Sequence, residues 1–181
     1  MAGLGIVIKT KEEIKSFNDL FGKLMSQSDD LESFSEKMLD HFFAKNNRDK
    51  IEKANNFFQK FVAFELYEDT KEIIDLPVKK AILSSVSDFL IKQSLPNGFE
   101  IFGSKGNKFH KPDPRAFFTV LMKMGVNPED AVMVGDEVER DLIAAQKLGI
   151  TTVLVDRKNE KVNYQGIKIN SLGEIKKIFE L

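Results

Sequence analysis

From Lys79 onward, short apolar runs alternate with helical segments, and this alternation constrains the fold more than any other feature of the sequence. Ala81-Ile82-Leu83, Phe99-Glu100-Ile101-Phe102, Ala131-Val132-Met133-Val134 and Thr152-Val153-Leu154-Val155 are the buried-strand candidates. Helices between such runs make βαβ units, which favour a parallel sheet covered on both faces with ligands at the carboxyl ends of its strands. The expected fold is therefore α/β, a doubly wound, Rossmann-like parallel sheet. A closing strand and helix are expected within Gly166–Leu181. At 181 residues and 42% hydrophobic content, the chain can bury one ordinary core and a small appendage.

The first half follows a different period. Ile14, Phe17, Phe21 and Leu24 recur at helical spacing behind a Thr10-to-Glu13 capping box. Leu31, Phe34, Met38 and Phe42, then Ile51, Ala54, Phe58 and Phe61, repeat the pattern. These predict three amphipathic helices whose phenylalanines pack a core rather than line a ligand box. Gly5-Ile6-Val7-Ile8 reads as a first strand. The expected organisation is an α/β core over residues 1–16 and 65–181, with a small helical cap over 17–64.

Composition removes several function classes. Lys and Arg total 27 against 28 for Asp and Glu, so a net charge of -1 provides no whole-molecule field for nucleic acid or anionic lipid. The absence of cysteine excludes a disulfide framework, thiolate metal sites and cysteine nucleophiles, and points to the cytoplasm. The N-terminal apolar run is too short for a signal peptide, and no stretch approaches the roughly 20 apolar residues of a membrane span. No membrane or nucleic-acid partner is expected, and assembly into a homo-oligomer stays open.

Two segments carry the chemistry. Val132-Met133-Val134-Gly135-Asp136 is a strand that ends in Gly-Asp and turns at once into a helix, Glu137–Leu148, carrying a second aspartate, Asp141. A carboxylate at that strand end faces the crevice, where oxygen ligands suit a hard cation such as Mg²⁺; the plain alternative is a helix cap by Asp136 or Glu137. Upstream, Lys111-Pro112-Asp113-Pro114 places a lysine on a loop stiffened by prolines that launches a helix through Leu121. Its ammonium would neutralise a phosphate or a carboxylate; alone it would be a solvated charge, with Asp113 an N-cap.

Taken together and in order, Lys111-Pro-Asp-Pro, Gly125-Val-Asn-Pro-Glu-Asp130, Val134-Gly-Asp136 to Asp141, and Ala144-Ala-Gln-Lys-Leu-Gly149 resemble the haloacid dehalogenase superfamily, mainly aspartate-dependent phosphohydrolases. The resemblance covers Leu66 to Val155. Tyr67-Glu-Asp-Thr-Lys-Glu-Ile-Ile looks like the return from a helical cap, and Ala81-Ile-Leu-Ser84-Ser85 like the second family motif. It implies that Ser84 binds phosphate, that Lys111 steadies the phosphoryl group and the nucleophile, that Asp136 ligates Mg²⁺, and that Asp141 supports Lys111 or the metal site. A small phosphorylated metabolite is the implied substrate. Ser85 stands where the family commonly has asparagine.

One departure is serious. The family's nucleophile is the first aspartate of an Asp-x-Asp motif at the end of the first strand, and the second aspartate is the acid and base. Here Lys9-Thr10-Lys11 follows Gly5–Ile8. An ammonium with a pKa near ~10 is neither nucleophile nor Mg²⁺ ligand, and if Lys9 or Lys11 faced the crevice it would stand as a counter-charge to Asp136. A second alignment takes Asp19-Leu-Phe21-Gly-Lys-Leu24 as the motif, with Asp19 as nucleophile; a third treats the chain as lacking its true first strand. The two functional expectations are thus a phosphohydrolase-related protein and a catalytically inactive pseudoenzyme that binds phosphate, a metabolite or a partner protein. His41, on the phenylalanine-rich second helix, is given no role, and His110 is a secondary candidate beside Lys111.

Overall fold

The computed structural model describes residues 10–42, 54–56, 58, 65–104, 108–160 and 163–180. The Gly5–Ile8 strand, Lys9 and most of the third helix lie outside them. The chain divides into two compact units, residues 1–65 with 86–94, and residues 66–85 with 95–181.

The first unit is helical. Helix α1, Lys11–Ser26, starts where the capping box places it: the Glu13 amide donates to the Thr10 hydroxyl at 3.1 Å, and the Thr10 amide to the Glu13 carboxylate at 3.0 Å. These bonds satisfy two of the amides that a helix start leaves unpaired. Helix α2 spans Leu31–Phe42. Phe17, Met25, Phe34, Met38, Leu39, Ala54 and Phe58 are buried together, with Phe89 and Leu90 from a third stretch, and the spacing along α1 and α2 explains why one face is buried.

The second unit is the α/β part. A short helix α3, Lys71–Ile74, precedes strand β1, Ala81–Leu83. The chain then visits the helical unit as α4, Asp88–Ser94, and returns as β2, Glu100–Phe102. Helix α5, Pro114–Met124, leads to β3, Val132–Gly135; then come α6, Ile143–Gln146, β4, Thr151–Val155, β5, Ile167–Ile169, and α7, Glu174–Ile178. All described pairings are parallel, in the orders β1-β2 and β3-β4-β5, with Leu83 opposite Phe102 and Gly135 opposite Leu154.

The sheet β3-β4-β5 is covered on both faces, as a parallel sheet requires. Neighbouring side chains of a strand point to opposite faces. Met133 accordingly joins Ala116, Phe117, Leu121, Ala144 and Ala145, while Val134 joins Leu76, Val153, Val155, Ile169 and Ile175. In β4, residues 152 through 155 are all buried. β3 is less enclosed than its apolar run suggests: Val132 is 42% exposed. Gly125 closes α5 at φ 60°, the left-handed cap conformation that a residue without a Cβ adopts at little cost.

Candidate active site

The strand end at Gly135 is built around Asp141. A Cβ at position 135 would lie 2.5 Å from the Asp141 Cβ and Oδ2 and 2.8 Å from its Cγ, so glycine is what lets that carboxylate pack directly against the strand. The helix expected to run from Glu137 begins instead with one wide turn, Val138–Leu142, in which the Ile143 amide donates to the Val138 carbonyl five residues back. Its N-cap residue, Glu137, makes no side-chain capping bond. Instead Asp141 reaches back, and its Oδ2 accepts from the Glu137 amide at 3.3 Å. Such widened turns recur at functional sites.

The other oxygen of Asp141 meets Lys111: Nζ lies 2.7 Å from Oδ1, and the two side chains are only 14% and 6% exposed. Two charges shielded from water cost desolvation energy that only close, well-oriented pairing offsets, so each fixes the other. The loop that delivers Lys111 is itself braced. The Asp113 amide donates to the His110 carbonyl at 2.9 Å, and the Asp113 carboxylate caps α5 by accepting from the Arg115 amide at 2.9 Å. It also grips the Arg115 guanidinium, with Nη2 at 2.6 Å from Oδ2. Arg115 lies over the Phe109 ring at 4.2 Å, so one side chain touches the loop on both sides of Lys111. The Arg115 side chain, then its amide, hold the Asp113 carboxyl below its ordinary value. The Lys111–Pro112 peptide is cis.

Of the residues singled out in the sequence, Lys111 and Asp141 are brought into contact. Ser84 and Asp136 stand at the carboxyl ends of separate strands. Ser84 is half-buried and prolongs the β1–β2 ladder, its amide donating to the Phe102 carbonyl at 3.0 Å; Asp136 is exposed. Asp19 lies inside α1, exposed, far along the chain from any described strand end, as the helical reading of that segment expects. Lys11 is the first residue of α1 and is exposed; Lys9 falls outside the described residues. His110 is exposed, and His41 is exposed beside the Phe42 ring at 5.0 Å.

Sequence reasoning missed Arg140. Its Nη2 donates to the Ser85 hydroxyl at 2.9 Å and its Nη1 to the Glu137 carboxylate at 3.2 Å. With 55 residues between donor and acceptor, no local pattern signals that contact. Gly135 was visible as a motif letter, but not its reason, the close approach of Asp141.

A Mg²⁺ site of the family kind is met only in part by these residues. Among the described residues, no group of three or more His, Asp or Glu side chains gathers around a shared point. Asp141 has both oxygens engaged, by Lys111 and the Glu137 amide. Asp136 is an exposed carboxylate at the end of β3, the type of group of which Mg²⁺ usually takes one or two before completing its shell with water and phosphate.

Residues 109–165, the segment holding all of this except the β1 end, match the HAD-hydrolase-like family model. The chain superposes on the 2-haloacid dehalogenase of Pseudomonas syringae pv. Tomato DC3000 with a TM-score of 0.69, covering 99% of this chain and 84% of that one at 15% identity. Its fold is thus that of haloacid dehalogenase superfamily structures. A HAD phosphatase from Thermococcus onnurineus gives a TM-score of 0.61 at 22% identity, covering 92% of this chain and 80% of that one. Among curated proteins, a glyceraldehyde 3-phosphate phosphatase of Methanothermobacter thermautotrophicus is 28% identical over 126 residues, which are 62% of this chain and 56% of that protein. A phosphoserine phosphatase of Thermus thermophilus is 36% identical over 69 residues, 38% of this chain and 28% of that protein. The matches thus span about half or less of these relatives. No helix among the described residues is long and apolar enough to cross a membrane.

Proposed function

We propose that this HAD-fold chain is a phosphohydrolase-type protein whose site receives the phosphoryl group of a small phosphorylated metabolite. The observation that carries the reading is the shielded Lys111–Asp141 pair beside the Gly135 strand end, in the segment that matches the family. Lys111 would offset phosphoryl charge, held in place by Asp141. Ser84 would donate one hydrogen bond to a phosphoryl oxygen. Asp136 would hold Mg²⁺, which when bound would neutralise phosphate charge and align the phosphoryl group. The relatives' names, phosphatases of glyceraldehyde 3-phosphate and phosphoserine, support a small, anionic substrate.

A second reading, phosphate binding without turnover, is favoured by one specific observation. Asp19, the nucleophile of the second alignment, sits exposed within α1 and not at a strand end. A covalent nucleophile removed from such a site costs on the order of 10⁴-fold or more in rate.

The deciding experiment assays the pure protein on an aryl phosphate and a panel of sugar phosphates with Mg²⁺, with Asp136→Ala, Lys111→Ala and Asp19→Ala alongside. Turnover abolished by Asp136→Ala and Lys111→Ala and untouched by Asp19→Ala supports the phosphohydrolase reading. Loss in Asp19→Ala as well would revive the alternative alignment. Inorganic phosphate binding lost in Lys111→Ala, with no turnover in the folded parent, establishes the second reading; no binding at all overturns both.

A further inference from the structure

We propose that Arg140 is a positioning residue of the phosphate site, fixing the Ser84–Ser85 loop from the same turn that fixes Lys111. The inference deepens the phosphate-site reading above and rests on it. Two loops bear the proposed phosphate-binding groups, one after β1 with Ser84 and one before α5 with Lys111. They are held by consecutive residues: Asp141 takes Lys111 at 2.7 Å, and Arg140 takes Ser85 at 2.9 Å. Consecutive side chains of a helical turn point in different directions, so a single turn at the end of β3 can reach toward two different loops at once.

The Arg140 guanidinium is not a free surface charge that happens to touch a serine. Glu137, three residues back on the same turn, holds its Nη1 at 3.2 Å while Nη2 reaches Ser85. A planar guanidinium pinned at two nitrogens has a fixed direction, which an ammonium on a flexible stem does not reproduce. Ser85 is exposed and follows a strand of only three residues, and its side chain is short. The Arg140 bond is thus a tether for the residue directly after Ser84, whose own amide is tied back to Phe102 at 3.0 Å. The same feature gives the departure at position 85 a physical meaning. A serine hydroxyl can accept from the guanidinium on its short side chain, so the residue after Ser84 is tied to the turn that follows β3. Arg140 and Glu137 are both about half exposed, and an exposed ion pair by itself contributes little stability. The consequence of the tether is therefore to be sought in the geometry of the loop and in anion affinity.

The test is a double-mutant cycle of Arg140→Ala, Ser85→Ala and the pair, with Arg140→Lys added. It is read by calorimetric affinity for inorganic phosphate and by hydrogen exchange of the Ser84, Ser85 and Val86 amides. Expected is a loss of about fivefold in affinity for each single variant, no further loss in the pair, and only partial recovery with lysine. Amide exchange at 84–86 should speed up in the same variants while their melting temperature stays near the parent's. Multiplicative losses in the pair, or unchanged exchange at 84–86, would overturn the tether. A loss beyond about 100-fold in Arg140→Ala with Ser85→Ala silent would make Arg140 a direct ligand, which also overturns it. If the parent binds no phosphate, the phosphate-site reading fails by itself. The exchange rates then decide the tether alone: faster exchange at 84–86 in both single variants supports it, and unchanged exchange ends it.

Discussion

The helical and α/β units, each taken by itself, both bury apolar clusters but differ in what becomes of their buried polar groups. In the helical unit the deepest contacts are aromatic: Phe34 meets Phe58 edge-on at 5.0 Å between ring centres and Phe21 at 4.9 Å. Among the described residues, the buried side-chain oxygens without a hydrogen-bond partner, on Ser35, Asn55 and Ser87, all fall in that unit. In the α/β unit the buried polar side chains are engaged. Asp141 takes Lys111, Thr152 meets Gln146 and Tyr164, and Asp156 accepts from the Glu160 amide. Non-directional burial thus holds both units, and directional pairing is added in the second, where strand ends must be aimed.

The sharpest way to break this contrast is to truncate one side chain of each kind. Phe34→Ala removes a fully buried ring from the aromatic cluster and should cost about 4 kcal/mol in urea unfolding. A cost below about 1 kcal/mol would mean the helical core is not packed as described. Asp141→Ala leaves the Lys111 ammonium shielded and unpaired, and should cost about 3 kcal/mol together with all phosphate affinity. Replacing both partners, Lys111→Met with Asp141→Leu, should recover much of that stability and none of the binding. A double variant less stable than either single one would show that the pair is not the unit the geometry makes it. Gly135→Ala comes next. The new methyl would overlap Asp141 and should cost about 2 kcal/mol, and phosphate affinity should fall with it because the displaced carboxylate holds Lys111.

How much of this was legible in the sequence follows the same divide. Among the described residues, periodicity placed the strands and most helix starts within a residue or two, because burial of one face leaves a repeating mark; β1 and α2 fall on the expected residues. The ordered motifs named the fold, and two of the four proposed site residues, Lys111 and Asp141, meet in space. What escaped was directional and distant. Arg140 binds Ser85 across 55 residues, and Arg157 binds Asp69 across 88. The wide turn at Val138–Leu142 escaped as well, since Val-Glu-Arg-Asp-Leu carries no breaker to distinguish it from an ordinary helix start. Distant polar pairs leave no period, so outside a local capping box or a family resemblance the sequence reveals the residues and not their partners.

The Arg157–Asp69 clasp supplies the smallest and most specific test. Asp69 accepts Arg157 Nη2 at 3.0 Å and the Leu172 amide at 3.0 Å, and Arg157 stacks over Tyr67 at 4.1 Å. Burial pushes the Asp69 carboxyl up, but the Arg157 and Leu172 hydrogen bonds outweigh it, so its pKa lies below the ordinary value of 3.8. A carboxyl depressed on folding contributes stability that is fully present above its unfolded value and is lost as pH falls through its folded value. The parent should therefore melt a few degrees above Asp69→Asn from neutral pH down to about pH 5, and the two curves should converge below about pH 4. A gap that persists undiminished at pH 3 would mean the carboxylate charge does not hold the clasp, and that Arg157 is held by its stacking on Tyr67 instead.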